Sequence, residues 1–271
     1  MASRAPDVVY INLDRAVDRR ALMERQGALR GVALTRFPAR DAESIDEATV
    51  HDLSHRWERP ITGPELALFL SHRTLWERAA ASRDGIVILE DDAVLSPRFA
   101  AVIANLPTGF DLINLECYGR RKFMTRHSVR TDAPARFTAV ARDKSGTAAY
   151  YCSPAGGRKL ADLACKLAAP SDAFIFAVAD LRTAQVEPAV AVQVHVLAGR
   201  GIDAGIRTTT SIHQPRKRLG LALRHWPFHA RRLRTQLNLL PLHVRRLNDV
   251  AFRAPELDED EFRAILPIRF D

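Results

Sequence analysis

The chain has only three cysteines in 271 residues, Cys117, Cys152 and Cys165. They are too few and too scattered for a disulfide framework or a zinc site. A reducing, cytoplasmic setting is therefore expected. No window approaches the roughly eighteen uninterrupted apolar residues of a membrane-spanning helix. The N-terminal stretch "MASRAPDVVYINLD" lacks the apolar h-region of a signal peptide. Internal repeats and long low-complexity tracts are also missing. One absence is local: from Ala204 to Asn248 there is neither Asp nor Glu.

What is present suits a soluble globular chain, with 47% apolar and 27% charged residues. That length and composition support one large domain or two small ones with a proper core. The net charge of +8 looks at first like a nucleic-acid footprint. Ten Lys and Arg, however, fall in the acid-free segment: residues 207, 216, 217, 218, 224, 231, 232, 234, 245 and 246. Removing those ten from 40 leaves 30 basic against 32 acidic residues, a nearly neutral body. Acidic features of the body and the basic segment are thus two separate devices.

Patterning predicts strands alternating with helices. "DVVYINLD" reads as a buried first strand, followed by an amphipathic helix over Arg19–Leu29 that Asp18 is expected to cap. "VALTRFPAR" reads as a second strand ending at Pro38. Thr62, Pro64 and Glu65 have the form of a capping box opening a helix that runs to about Ser82. "IVILEDD" and "FDLINLE" read as further strands, "GTAAYYCS" as a short strand before the helix "PAGGRKLADLACKL", and "VEPAVAVQ" as a late strand. Such alternation argues an α/β fold with a mostly parallel central sheet flanked by helices. After about Ile212 the composition shifts, and Pro215, Pro227 and Pro241 divide the basic stretch into short helical pieces. The expected division is a domain over 1–212 and a basic amphipathic helical extension over 213–271.

In open α/β sheets ligands bind beyond the carboxyl ends of the strands. "IVILEDDAVL" places Glu90, Asp91 and Asp92 at such an end, and "INLE" places Glu116 at another. Three adjacent carboxylates repel one another unless a cation sits among them. A hard dication such as Mg²⁺ or Mn²⁺ takes oxygen ligands and shares them with substrate phosphates. The bland alternative is a solvated turn after a strand. An aspartyl-phosphate phosphatase also sets its motif after an apolar strand, but neither Glu90-x-Asp92 nor Asp91-x-Ala93 supplies its nucleophile pattern.

Several stretches, in order, resemble glycosyltransferase family 25, which includes lipooligosaccharide and collagen galactosyltransferases. They are "YINLDRAVDRR" (Tyr10–Arg20), "RFPARDA" (Arg36–Ala42), "TGPELALFLSHRTLWE" (Thr62–Glu77), "ILEDDAVLSPRF" (Ile88–Phe99), "GTAAYYCSPAGGRKL" (Gly146–Leu160) and "PSDAFIF" (Pro170–Phe176). The likeness covers about residues 7 to 212. Two departures, the second Ala of "GTAAY" and the Ser of "PSD", remove no ligand but put donor preference in doubt. The resemblance implies a GT-A-like (Rossmann-like) catalytic domain, a UDP-sugar donor and Mn²⁺ or Mg²⁺. The implied reaction is inverting transfer of a hexose, galactose or glucose, to a hydroxyl of a lipopolysaccharide-type or other surface glycan.

Carried over residue by residue, Asp92 is the expected metal ligand, with Glu90 beside it. Glu90 and Asp91 are also candidates for ribose or a metal-bound water. Asn12, Arg19 and Arg20 match the N-terminal motif and are expected at the uridine and diphosphate end, where a planar guanidinium pairs with phosphate oxygens. Ser71 and His72 belong to the "LSH" helix and are expected near the donor, although a lone histidine on such a helix is often structural. Asp172 and Glu116 are the candidate bases for the acceptor hydroxyl, with Asp172 also a candidate metal ligand.

The basic stretch carries Leu219, Leu223 and Trp226, then Leu233, Leu237 and Leu240, at helical spacing. Basic amphipathic pieces of this kind suit an anionic membrane surface, giving a peripheral location at the inner face of the cytoplasmic membrane over 213–248. Packing on the body is the alternative, and the acidic "ELDEDEF" is placed to offset part of the charge. A nucleic-acid-binding protein is the rival of another class, but it leaves the neutral body and acidic cluster unexplained, so no nucleic acid is expected. A catalytically inactive sugar-nucleotide-binding relative is the nearer alternative.

Overall fold

A computed structural model describes residues 5–143, 146–178, 180–206, 220 and 222–268. The strands are β1 (Asp7–Asn12), β2 (Leu34–Pro38), β3 (Ile86–Glu90), β4 (Ala93–Leu95), β5 (Leu112–Asn114), β6 (Lys122–Arg130), β7 (Arg136–Arg142), β8 (Ala149–Cys152), β9 (Thr183–Glu187), β10 (Ala191–Gln193) and β11 (Val250–Arg253). Helices α1 (Val17–Arg30), α2 (Glu47–Leu53), α3 (Gly63–Ala81), α4 (Phe99–Ala104) and α5 (Pro154–Ala164) precede the short α6 (Ser171–Ala173) and α7 (Val194–Ala198). Helices α8 (Trp226–Leu237), α9 (Leu240–Arg245) and α10 (Glu259–Arg263) complete the set.

The fold is α/β, with a nine-stranded central sheet in the order β11-β6-β7-β9-β5-β8-β3-β1-β2. β1 pairs parallel with β2 and β3, and β5 pairs parallel with β9. β8 enters between β3 and β5 antiparallel to both, so β3 and β5 still point the same way. β7, β6 and β11 continue the sheet antiparallel beyond β9. A second, two-stranded sheet joins β4 to β10.

β1 and β3 are apolar on both faces because both are covered. Val9, Ile11, Ile86 and Ile88 face one layer, where α3 presents Leu66, Phe69, Leu70 and Trp76. Val8, Tyr10, Val87 and Leu89 face the other, with Met23 of α1 and Phe99 and Val102 of α4. Side chains alternate along a strand, so that parity continues to the strand ends. Glu90 is therefore carried to the α3 side and Asp91 to the α1 side.

Helix α3 starts as expected. The Thr62 hydroxyl accepts from the Glu65 N–H at 3.4 Å, and Glu65 accepts from the Thr62 N–H at 3.0 Å. Arg59 also donates to both Glu65 oxygens, at 2.8 and 2.6 Å. Helix α5 lies against α3 through Gly157, where an added Cβ would stand 2.6 Å from the Trp76 carbonyl oxygen. Only glycine admits two backbones at that distance.

Some elements differ from expectation. Helix α1 begins at Val17, its N-cap is Ala16 with no side-chain cap bond, and Asp18 lies inside the first turn. There its charge meets the positive helix end instead of capping it. "VEPAVAVQ" is two strands, β9 and β10, parted around Pro188, which has no N–H to give to a ladder. The strand in "FDLINLE" shortens to Leu112–Asn114.

The basic segment is helical over Trp226–Leu237 and Leu240–Arg245, then rejoins the body. β11 adds to the sheet edge beside β6, and Phe262 and Ile268 enter a core cluster with Leu22, Val94 and Val192. The Arg98 guanidinium meets Glu261 at 2.6 Å across the same junction. The expected boundary at Ile212, with Arg207, Arg216, Lys217, Arg218 and Leu219, lies outside the described residues. Among the described residues no helix is long and apolar enough to cross a membrane.

Candidate active site

Four chain segments end at one edge of the sheet. β1 delivers Asn12, β3 delivers Glu90 and the turn Asp91-Asp92, and β5 leads to Glu116. Because β8 runs the other way, its beginning, Thr147 and Ala148, arrives at the same edge. The acidic turn is buried, Asp91 at 8% and Asp92 at 5% exposure, so it is no solvated loop.

Two of the three carboxylates have separate partners. Asp91 accepts from Asn12 Nδ2 at 2.7 Å and from Arg19 Nη1 at 3.0 Å, as its α1-facing parity requires. Burial still pushes its carboxyl above the ordinary aspartate value, against the pull of Arg19. Glu90, on the α3 side, accepts from the Thr147 hydroxyl at 2.6 Å and lies 3.6 Å from His72 Nε2. Burial pushes the Glu90 carboxyl up, but the nearby His72 ring, and then the Thr147 hydroxyl, outweigh it and hold the group low.

Asp92 is the carboxylate left over. Its Oδ1 is buried with no hydrogen-bond partner, while its backbone carbonyl accepts from Val194 N–H at 3.0 Å. Burial, then the charge of Glu90, raises its carboxyl to about 7.

Glu116 is fully buried. Oε1 accepts from the Ala148 N–H at 2.8 Å, and Oε2 is unpartnered. Burial and the neighbouring Glu90 raise its carboxyl well above the usual range. Its backbone is fixed by Asn114, whose Oδ1 accepts the Glu116 N–H at 2.9 Å, and by Gln185, whose Nε2 donates to the Glu116 carbonyl at 3.0 Å. Behind this stands a buried pair, Lys122 Nζ 2.5 Å from Asp143, with Gln185 Oε1 at 2.7 Å. Gly146 leaves no room for any other residue, since an added Cβ would lie 2.6 Å from Glu116 Oε1.

Asp172, half-buried at the start of α6, accepts from the Ala173 N–H at 2.7 Å. Burial first, then the charge of Glu90, raises its carboxyl. Glu90 is thus electrostatically felt by Asp92, Glu116 and Asp172, and the predicted acids gather in one region.

The polar residues expected near the donor take supporting positions. Asn12 spends its whole side chain inside the protein. Nδ2 donates to Asp91 and to the Ala16 carbonyl, and Oδ1 accepts from Arg36 Nε at 2.9 Å and Arg20 Nε at 3.4 Å. Ser71 accepts from the Arg40 N–H and donates to the Ala67 carbonyl, both at 2.9 Å, and so pins the loop after β2. His72 Nδ1 meets the Tyr150 hydroxyl at 2.8 Å, and Trp76 Nε1 donates to the same hydroxyl at 2.8 Å. Arg36, Thr147 and Tyr150 were not among the sequence candidates. All three stand inside the quoted stretches "RFPARDA" and "GTAAYYCSPAGGRKL", but their roles appear only once β2 and β8 are set beside β1 and β3.

Among the described residues no three His, Cys, Asp or Glu side chains converge into a closed metal cage. The donor set is instead all-oxygen and open, with buried unpaired oxygens on Asp92 and Glu116. A hard dication held by one or two carboxylates and completed by substrate phosphates fits such a set.

Comparison with known proteins agrees with this arrangement. The profile of "Glycosyltransferase family 25 (LPS biosynthesis protein)" matches residues 6–175. A "Glycosyltransferase 25 family member" of Anopheles gambiae is 28% identical over 169 residues, covering 56% of this chain and 28% of its own length. One from Aedes aegypti is 27% identical over 169 residues, with 56% and 27% covered. One from Drosophila pseudoobscura pseudoobscura is 31% identical over 104 residues, with 35% and 17% covered. The match spans less than a third of each relative. The family profile, by contrast, takes in more than half of this chain, from the β1 strand through the acidic turn to Asp172, and the chain belongs to glycosyltransferase family 25.

Proposed function

We propose that the protein is a metal-assisted hexosyltransferase. It moves galactose or glucose from a UDP-sugar to a hydroxyl of a lipopolysaccharide-type or other surface glycan, with inversion at the anomeric carbon. The observation that carries this reading is the buried, unpaired Oδ1 of Asp92, in the same acidic site as the unpaired Oε2 of Glu116, while Asp91 and Glu90 are held by their own partners. A protein leaves such an oxygen dry only when something else completes it.

In this reading Asp92 holds Mn²⁺ or Mg²⁺, with Glu90 next to it. The bound ion supplies charge neutralisation for the departing diphosphate. Asp91 is the brace: tied to Asn12 and Arg19, it fixes the turn so that Asp92 points inward. Arg20 and Arg36, gathered around Asn12 and shared with the exposed Asp14, offer guanidinium donors at the β1 end to the nucleotide diphosphate. His72, held by Tyr150, keeps Glu90 ionised. Asp172 takes the proton of the attacking hydroxyl, because it is half-exposed where an acceptor arrives and burial has already raised its basicity. Glu116, sealed deeper, keeps its unpaired Oε2 as a further oxygen of the same site.

The test is UDP-hexose hydrolysis without acceptor, measured with Mn²⁺ and with excess EDTA, for the wild type and Asp92→Asn. Activity that needs the metal and falls by at least about a hundredfold in the variant is expected. Undiminished turnover in EDTA, or in Asp92→Asn, overturns the assignment.

A further inference from the structure

We infer that α8 and α9 form a docking surface for an anionic lipid membrane, a feature independent of which sugar the acidic site transfers. The two helices each use one side to hold the body and turn the other side outward. On α8 the body-facing residues are Phe228, buried, and Arg231, which donates to the His55 carbonyl at 2.8 Å and to the Trp57 carbonyl. Trp226, Leu233 and Leu237 follow at intervals of seven and four residues. At about 100° per residue they form one stripe, centred roughly opposite Phe228. On α9 the body-facing residues are Leu242, packed on Phe123, and His243, edge-on to the Phe123 ring at 5.1 Å. Leu240 and Val244, with Leu247 in the following turn, make the second stripe. All six outward side chains are between 53% and 89% exposed.

Stripes of large exposed apolar side chains on two successive helices are unusual on a soluble surface and mark a place where something else sits. The charge around them selects the occupant. Arg232 and Arg234 of α8 are exposed, Arg246 after α9 is exposed while stacked over the Phe252 ring, and no acid occurs between Ala204 and Asn248. A second copy would bring the same positive field against this one, which opposes self-association. A nucleic acid would take the arginines but has no use for exposed leucines. Apolar stripes flanked by arginine, with a tryptophan at one end, match a helix lying in the interface of a membrane that carries negative headgroups.

The full chain is mixed with phosphatidylglycerol–phosphatidylcholine vesicles and with phosphatidylcholine vesicles, and flotation is measured at low and high salt. Wild type should float with the anionic vesicles, weakly or not at all with the neutral ones, and less at high salt. Leu233→Glu with Leu237→Glu should lower partitioning on the order of a hundredfold. Both sites are exposed, so the melting midpoint and any sugar-nucleotide hydrolysis should not change. No flotation of the wild type, or equal flotation of the double variant, overturns the inference. So does a wild-type dimer that the double variant dissolves while vesicles bind neither. Salt-sensitive binding to duplex DNA without vesicle binding overturns it in favour of the other polyanion.

Discussion

Tyr150→Phe isolates the contribution of one hydroxyl to the acidic site. The ring remains in β8, stacked on His72 with centroids 5.8 Å apart. The oxygen takes with it two hydrogen bonds of 2.8 Å, from Trp76 Nε1 and to His72 Nδ1. Trp76 and His72 are both fully buried, so water cannot replace it. Each lost bond contributes about 1 kcal/mol, and each stranded buried group costs roughly 1–3 kcal/mol. These overlap, since the same desolvation enters both, and a net loss of about 2–4 kcal/mol follows. For a chain of this size a kilocalorie moves the melting midpoint by roughly 2–4 °C. Calorimetry should therefore show a midpoint about 4–16 °C lower.

The same hydroxyl sets the tautomer of His72. Trp76 donates to the oxygen, so the tyrosine proton goes to Nδ1, leaving Nε2–H turned to Glu90, 3.6 Å away. Nitrogen-15 spectra of the wild type should show a single Nε2–H tautomer, and those of Tyr150→Phe a mixture. A midpoint within about 1 °C of wild type, or an Nδ1-protonated ring in the wild type, would refute the reasoning.

Three further perturbations probe the frame around the site. Glu187 is fully buried and accepts from Arg253, from Thr138 at 2.6 Å and from the Glu256 N–H at 3.0 Å, which ties the C-terminal segment to β9. Glu187→Gln removes the charge that Arg253 and Arg136 face and should cost about 1–3 kcal/mol in urea unfolding. Burial raises the Glu187 carboxyl, yet Arg253, Thr138 and the Glu256 N–H hold it below its ordinary value. Its contribution is thus complete above the unfolded value of about 4.3 and is lost as pH falls through the lower folded value. Stability of the wild type should drop below about pH 4.3 more steeply than that of Glu187→Gln, and parallel acid curves would contradict this. Gly157→Ala sets a methyl 2.6 Å from the Trp76 carbonyl oxygen and the Ala80 nitrogen, so α5 must move off α3. A loss of about 1–3 kcal/mol or more is expected, and a neutral melt would show the contact to be looser. Gly146→Ala pushes on Glu116 Oε1, and its φ of +102° is also unfavourable for alanine. UDP-hexose hydrolysis should fall at least about tenfold with kcat affected, whereas unchanged kinetics would place Glu116 outside the chemistry.

The acidic site was partly legible in the sequence because strand parity is local. "IVILED" ends with two carboxylates on alternating faces, so they must meet different helices, and Glu90 does meet α3 while Asp91 meets α1. Asp92 was singled out in the sequence through the family resemblance alone; what distinguishes it physically is a missing partner, and missing partners depend on everything packed nearby. The insertion of β8 between β3 and β5 was not legible. "GTAAYYCS" looks the same whether it pairs parallel or antiparallel, yet the antiparallel choice is what brings Thr147 to Glu90 and the Ala148 N–H to Glu116.

Lys122 shows the same limit. In "RRKFMT" it reads as one more surface cation, and only the pairing of β6 with β7 buries it against Asp143. Long-range pairing is an energetic agreement among distant segments, and a local period carries no trace of it. The α8 and α9 stripes are the instructive converse. Their amphipathic spacing was plain in the sequence and suited a membrane surface, with packing on the body as the alternative; the body is held by Phe228, Arg231 and Leu242 on the other side. A hydrophobic period states that a face wants cover. What covers it is settled by charge and by the surfaces left over, and here both point away from the protein itself.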